Sequence, residues 1–386
     1  MAEQIHLSFI NDTSYGLSWV RYNSTHKDSQ QSNIINAFYI FVGICIIANL
    51  LFYVKLIYKW FAYREYRLLT RQTDYSIIVN ICMMVLYFCG TLYFIHYLFS
   101  IDKVVTHDYV SYCSPYKCNT IMATYTQLDY RDIFYAVMTN LVIDTNYTYM
   151  IGNNITGWST SYHFSTIKKG NRYSIAIYGD FGLVNARSLN MLNHFNNLNR
   201  YDLVLHVGDL AYDLDSDNGK VGDDFMNSIQ SISSKIPYMT CPGNHENSNN
   251  FTQYLNRLNS GLYYSINIPG YVINSDKNIN IISISTELYF YGNYYTNEHV
   301  NRQYLWLVDT LKKTLNNNSW NIIIGHRPMY CSVDTNDGNN ICTADTQTLR
   351  DGVSYVKGKN RVGPLEHLLM DYNVDFYFSG HMHSYE

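Results

Sequence analysis

The chain has little charge: Asp, Glu, Lys and Arg make up 15% of its 386 residues, and the net charge is -4. That balance lacks the positive field that draws proteins to nucleic acid, so no nucleic-acid partner is expected. The chain has no internal repeat and no long low-complexity linker, which speaks against a repeat array or a flexibly strung chain. Its first apolar run does not read as a secretory leader, because it begins far from Met1 and exceeds the ~7–15 residues of a signal core. Cysteine is sparse outside the apolar runs. Cys45, Cys82 and Cys89 lie within those runs and read as small hydrophobes; Cys241 has no obvious partner. Cys113 with Cys118, and Cys331 with Cys342, are spaced for local disulfides.

What is present is 47% hydrophobic residues, unevenly placed. Residues 34–54 (IINAFYIFVGICIIANLLFYV) and 77–99 (IIVNICMMVLYFCGTLYFIHYLF) contain no Asp, Glu, Lys or Arg. Each is long enough to cross a bilayer, which takes ~20 residues. Between them stand Lys55, Lys59, Arg64, Arg67 and Arg71, so the linker is predicted to face the cytoplasm and both termini the lumen or exterior. The expected organisation is an N-terminal luminal or extracellular segment over 1–33 and a transmembrane hairpin over 34–101. Glycosylation sequons at Asn11, Asn23, Asn146, Asn154, Asn250 and Asn317 all fall on the predicted outer side.

Residues 106–168 carry short strand-like runs at 134–138 (FYAVM), 147–151 (YTYMI) and 161–167 (SYHFSTI), separated by polar turns. This suits part of a β-sandwich, since a complete sandwich of immunoglobulin type needs ~100 residues. From 172 onward strands and helices alternate. Apolar strands end in polar motifs at 173–180, 203–209, 238–244, 321–326 and 374–381. Helical patterns occupy 184–196, 303–315 and 364–371, and a β-rich stretch covers 262–287. In such α/β layouts ligands bind at the carboxyl ends of strands.

Five motifs sit there: Gly179-Asp180-Phe181-Gly182, Gly208-Asp209-Leu210-Ala211-Tyr212, Gly243-Asn244-His245-Glu246, Gly325-His326 and Gly380-His381-Met382-His383. Each pairs a glycine, which lets the chain turn after the strand, with a residue able to bind a metal. Carboxylates, imidazoles and an amide oxygen together suit iron, zinc or manganese. The other histidines read blandly: His206 as a packed strand residue, His194, His299 and His367 as solvated, and His96 as a polar contact within the second apolar run.

The five motifs resemble those of the calcineurin-like metallophosphoesterases, and Tyr212 narrows the resemblance to purple acid phosphatases. His326-Arg327-Pro328-Met329-Tyr330-Cys331, the helical Gln303-Tyr304-Leu305-Trp306-Leu307, and Gly380 through Glu386 also match that family. Upstream, 147–152 and Gly157-Trp158-Ser159 resemble the end of its fibronectin-like domain. The implied fold is a metallophosphoesterase β-sandwich flanked by helices (αββα layers) over 172–386. A partial fibronectin-III-like module at 106–168 and two transmembrane helices would precede it.

The resemblance implies one metal, Fe(III), on Asp180, Asp209, Tyr212 and His383. A divalent Zn, Mn or Fe(II) would take Asp209, Asn244, His326 and His381, with Asp209 bridging. The implied activity is an acid phosphatase, in which a metal-bound hydroxide attacks small phosphate monoesters at the dinuclear centre. His245 would protonate the leaving group or grip phosphate, and Glu246 would orient it. The chain departs from the family in three places. Thr335 and Asn336 stand where plant members carry further histidines. The fibronectin-like part lacks its early strands, and the catalytic domain stops after its last motif, as if C-terminally truncated. Two alternatives remain: a membrane-tethered phosphodiesterase with two manganese ions, against which Tyr212 argues, and a catalytically impaired, receptor-like fragment.

Overall fold

The computed structural model describes residues 2–22, 55, 58, 107–169, 173–184, 187–270, 277–290, 297–315, 319–332, 341–355 and 360–383. Both apolar runs, the basic linker apart from Lys55 and Tyr58, and the sequons at Asn23 and Asn317 lie outside them. Among the described residues no helix is long and apolar enough to cross a membrane. The chain divides into one unit of Met1–Arg21 with His107–Glu386 and a second of Tyr22–Thr106.

The N-terminal half of the first unit is a sandwich of nine strands: β1 (Glu3–Asn11), β2 (Ser14–Tyr22), β3 (Tyr109–Cys113), β4 (Cys118–Met122), β5 (Thr124–Leu128), β6 (Arg131–Met138), β7 (Asn146–Asn153), β8 (Gly157–Trp158) and β9 (Tyr162–Ser165). One sheet runs β1-β2-β6-β5, the other β4-β3-β7-β8 with β9 also on β7. The strands form because apolar residues alternate, as in β7, where Tyr147, Tyr149 and Ile151 point inward and Thr148 and Met150 outward. Here the structure corrects two expectations. Residues 3–22 are not a separate leading segment but the first hairpin of the sandwich, so its early strands are present. They belong there because Ile5, Leu7, Phe9, Tyr15, Leu17 and Trp19 line one buried face, with Trp19 stacked on Phe134 at 5.5 Å. The turn between them is set by Asn11, whose Oδ1 accepts the Thr13 backbone N–H at 3.0 Å.

Asp108 closes the sandwich where the chain re-enters it. Its buried carboxylate accepts from Trp19 Nε1 (3.2 Å), Arg21 Nη2 (2.5 Å) and Asn153 Nδ2 (2.6 Å), tying β2 to β3 and β7. The Cys113–Cys118 disulfide pins the β3–β4 hairpin, as its spacing predicts, and Cys241 is free and buried. Cys331 is disulfide-bonded; the side chain of Cys342 is outside the described set.

The C-terminal half contains two sheets. Parallel strands β10 (Ile175–Tyr178), β11 (Leu203–His206) and β12 (Tyr238–Thr240) form the first. The second runs β13 (Tyr264–Ile268), β14 (Asn278–Ser283), β15 (Ser319–Ile324) and, after the small hairpin β16 (Val353–Tyr355) and β17 (Asn360–Val362), β18 (Phe376–Phe378) in the order β13-β14-β15-β18. Leu203, Leu205, Ile281, Ile322 and Ile324 from the two sheets belong to one buried cluster. The alternate positions, Val204, Ile282 and Ile323, pack instead with the helices. Those are α1 (Leu189–Asn197), α2 (Lys220–Ser233), α3 (Ser248–Leu258), α4 (Asn297–Thr314), α5 (Ile341–Asp351) and α6 (Leu365–Asp371). Sheets and outer helices match the expected layering; α2 and α3, rich in Ser and Asn, are helices that the sequence pattern did not reveal.

The two halves are locked by a buried ion network. Asp223 on α2 accepts from Arg131 Nε (2.7 Å), Arg257 Nη1 (2.7 Å) and Gln4 Nε2 (2.9 Å), joining β1, β6, α2 and α3. Burial disfavours its charge, but the two guanidiniums hold its carboxyl below the usual range. His6 on β1 adds a contact from its Nε2 to the Tyr238 carbonyl at 2.6 Å.

Candidate metal centre

Each donor arrives on a turn just after a strand. Asp180 follows β10, Asp209 and Tyr212 follow β11, Asn244 follows β12, His326 follows β15, and His381 and His383 follow β18. Asp180, Asp209, Tyr212 and His381 all have left-handed backbones, with φ of 52°, 52°, 54° and 69°. Non-glycine residues rarely adopt that region, and such strain concentrates where surrounding structure fixes a functional side chain. Two neighbouring glycines are required for space. A Cβ on Gly208 would strike the His326 ring, and one on Gly380 would strike the Asp180 carboxylate.

All seven predicted donors are brought together. Asp209, His326 and His381 offer ligand atoms within 4.8 Å of one another. His326 Nε2 lies 3.1 Å from Asn244 Oδ1 and 3.2 Å from Asp209 Oδ2. Its Nδ1 faces the Val207 carbonyl at 3.0 Å. That carbonyl can only accept, so Nδ1 carries a proton, and Nε2 is the nitrogen turned to the site, where a cation would displace its own proton. On the other side, Tyr212 Oη meets His383 Nε2 at 2.8 Å, and Asp180 Oδ1 lies 3.4 Å from the same nitrogen. Asp180 is itself held by the His381 backbone N–H, at 3.0 and 2.8 Å from its two oxygens. The donors thus form two groups, with Asp209 in contact with His326 in one and its charge acting on Asp180 and Tyr212 in the other, a set that fits two cations.

The charges reflect this crowding. Burial raises the Asp180 carboxyl above its usual range, with His326 opposing. Burial also works against the Asp209–His326 ion pair, yet the pair prevails: Asp209 is held low and His326 is lifted to about 9. Burial, then the carboxylates of Asp180 and Asp209, push the Tyr212 phenol up. A phenolate there therefore requires a cation to stabilise it.

Glu246 and His245 part company. The Glu246 carboxylate is buried and accepts three backbone N–H groups, from Asp209 (2.9 Å), Leu210 (2.8 Å) and Gly243 (2.9 Å). It ties the Asp209 turn to the Asn244 turn rather than orienting His245. Burial and the nearby Asp209 push it up to about 7. The His245 ring is instead partnered by Asp213, Oδ1 to Nδ1 at 2.9 Å, and lies against Tyr212 with ring centres 4.7 Å apart. Its Nε2 is 4.0 Å from Asp209 Oδ2, at the mouth of the site. Asp213 directly follows Tyr212, and that adjacency was the signal in the sequence that could have found it. His206, by contrast, is a buried strand residue bonded to the Tyr238 hydroxyl at 2.8 Å, as expected of a core histidine.

Residues 173–385 match the calcineurin-like phosphoesterase family. Over 268 residues the chain is 40% identical to acid phosphatase type 7 of Danio rerio, covering 65% of this chain and 56% of that protein. The acid phosphatase type 7 of Homo sapiens is 39% identical over 258 residues, covering 64% and 54%. The chain spans about half the length of these curated relatives. In fold it is similar to a purple acid phosphatase from yellow lupin (Lupinus luteus) seeds, with a TM-score of 0.58 and 16% identity over 99% of this chain and 58% of that one. With the matched region spanning every strand-end motif and more than half of its length, the chain belongs to the calcineurin-like phosphoesterase family.

Proposed function

We propose that this chain is an acid phosphatase hydrolysing small phosphate monoesters at a dinuclear Fe(III)–M(II) centre, M being Zn, Mn or Fe(II). The observation that carries the reading is the convergence of seven donors in two groups around Asp209. Tyr212 favours iron, because a phenolate matches the higher charge of Fe(III) and its proton is otherwise held tightly. Asp180, Tyr212 and His383 would hold the ferric ion, Asn244, His326 and His381 the divalent one, and Asp209 both. When bound, the cations supply Lewis-acid stabilisation of phosphoryl oxygens and acidify water.

The chain's own residues do the rest. Val207 fixes the His326 tautomer, and Glu246 holds the two ligand turns in register. Asp213 accepts a hydrogen bond from His245 Nδ1, which holds the ring with Nε2 toward the site, the position from which it would donate a proton to the leaving alkoxide. The test is turnover of a chromogenic phosphomonoester at acid pH by the wild type and by Asp209→Asn. Equal rates would remove catalysis from this site. A visible charge-transfer band lost in Tyr212→Phe is expected; a colourless, metallated, active wild type would point to the phosphodiesterase reading instead.

We further propose a membrane-anchored enzyme with this unit on the luminal or exterior side. The Cys113–Cys118 disulfide and the exposed sequons at Asn11, Asn146, Asn154 and Asn250 support it. A glycosidase-induced mobility shift is expected on membranes, and protease access from the cytosolic side alone would refute it.

A further inference from the structure

Asp345 belongs to none of the five motifs and comes from α5, a helix outside the strand-end pattern. Its carboxylate nevertheless lies 3.5 Å from His381 Nε2, with 20% of the side chain exposed. Behind it stands Arg327, which bonds Asp345 through Nη1. The same guanidinium bonds Glu287 through Nε (2.9 and 3.1 Å) and Nη2 (3.0 Å), and rests on the Phe290 ring at 4.4 Å. Glu287 is fully buried. The chain Glu287–Arg327–Asp345 is therefore anchored in the core at one end and meets a metal-binding histidine at the other.

Arg327 Nη1 also approaches His381 Nε2, at 3.1 Å. Arginine can only donate, so this contact needs Nε2 to accept, which puts the ring proton on Nδ1. A cation taking Nδ1 leaves the neutral ring with its proton on Nε2. That nitrogen can then no longer accept from Arg327 and must donate, and Asp345 is the acceptor beside it. We propose that Asp345 is a positioning residue of the metal centre: held by Arg327, it takes the Nε2–H of His381 and turns Nδ1 toward the cation shared with His326 and Asn244. His326 is built on the same plan with the nitrogens exchanged, the Val207 carbonyl behind Nδ1 and the site before Nε2. A carboxylate behind a ligating imidazole fixes its tautomer and raises its basicity.

This inference rests on the two-metal reading, and the experiment separates the two. Metal-free full-length protein, Asp345→Asn and Asp345→Glu are titrated with Zn²⁺ by calorimetry. In the asparagine variant one of two equivalents should bind about 10–100-fold more weakly, with the other unchanged and the glutamate variant recovering much of the loss. The melting temperature of the metal-free protein should not move. Two equivalents bound by Asp345→Asn as tightly as by wild type would overturn the positioning role. So would loss of both equivalents with a lowered melting temperature, since that marks general disruption. A wild type that takes up no Zn²⁺ refutes the metal centre itself, and this role with it.

Discussion

Acidification should destabilise the native protein through a buried histidine that belongs to none of the strand-end motifs. His6 is buried on β1, its Nε2 meets the Tyr238 carbonyl at 2.6 Å, and its Nδ1 has no hydrogen-bond partner among the described residues. The neutral ring satisfies this geometry by carrying its proton on Nε2. Charging it would place an unpaired N–H in the core, so burial pushes the pKa from 6.5 down to about 4, the Tyr238 carbonyl only partly opposing. The native pKa is depressed, so the unfolded chain binds the proton first. Stability from neutral His6 is complete above pH 6.5 and is lost as pH falls from there through about 4. At about pH 5 the unfolded ring is protonated by about thirty to one and the native ring by about one to ten, a difference of about 2 kcal/mol. The limiting loss at lower pH is about 3 kcal/mol.

The assay is urea unfolding of wild type and His6→Gln at about pH 8 and about pH 5. Glutamine keeps a donor for the Tyr238 carbonyl but does not titrate. The wild type should lose about 2 kcal/mol more than the variant between the two pH values, a midpoint difference of about 0.7 M for a slope of about 3 kcal/mol/M. Every other titrating group, His206 and His326 included, is common to both proteins and cancels. Equal pH dependence in the two would refute the claim that His6 is held neutral.

Two further outcomes are expected from the same geometry. Asp223→Ala leaves Arg131 and Arg257 buried without their shared carboxylate and should cost about 3–5 kcal/mol in a denaturant or thermal melt; a loss under about 1 kcal/mol would show that the network does not hold the two halves together. Asp213→Asn should lower kcat about 10-fold or more with metal content unchanged, because His245 loses the carboxylate that holds its ring through Nδ1; an unchanged kcat would show that His245 does not depend on that partner.

The donor set was legible in the sequence because each ligand sits within a few residues of the strand that carries it. Turn chemistry after a strand is local, so Gly208-Asp209 or Gly380-His381 announces both the turn and the ligand. The helices α4 and α6 were legible for the same kind of reason, through apolar residues at helical spacing. The first hairpin was also written locally, as Ile5, Leu7 and Phe9 alternating before Asn11 and Tyr15, Leu17 and Trp19 after it. The long apolar run downstream masked its place in the sandwich. Pairing β2 with β6 joins strands more than a hundred residues apart, and short-range periodicity does not encode such pairing.

The sequence by itself therefore determined which residues can bind metal and on which strand ends they stand. The tertiary structure alone decided their partners. It took Glu246 away from His245 and gave its oxygens to three backbone N–H groups. It set Asp213 behind His245 and the Val207 carbonyl behind His326, and it brought Asp345 and Arg327 to His381 from separate segments. A ligand's identity is a property of its own turn, whereas its tautomer and orientation depend on what long-range packing places behind it.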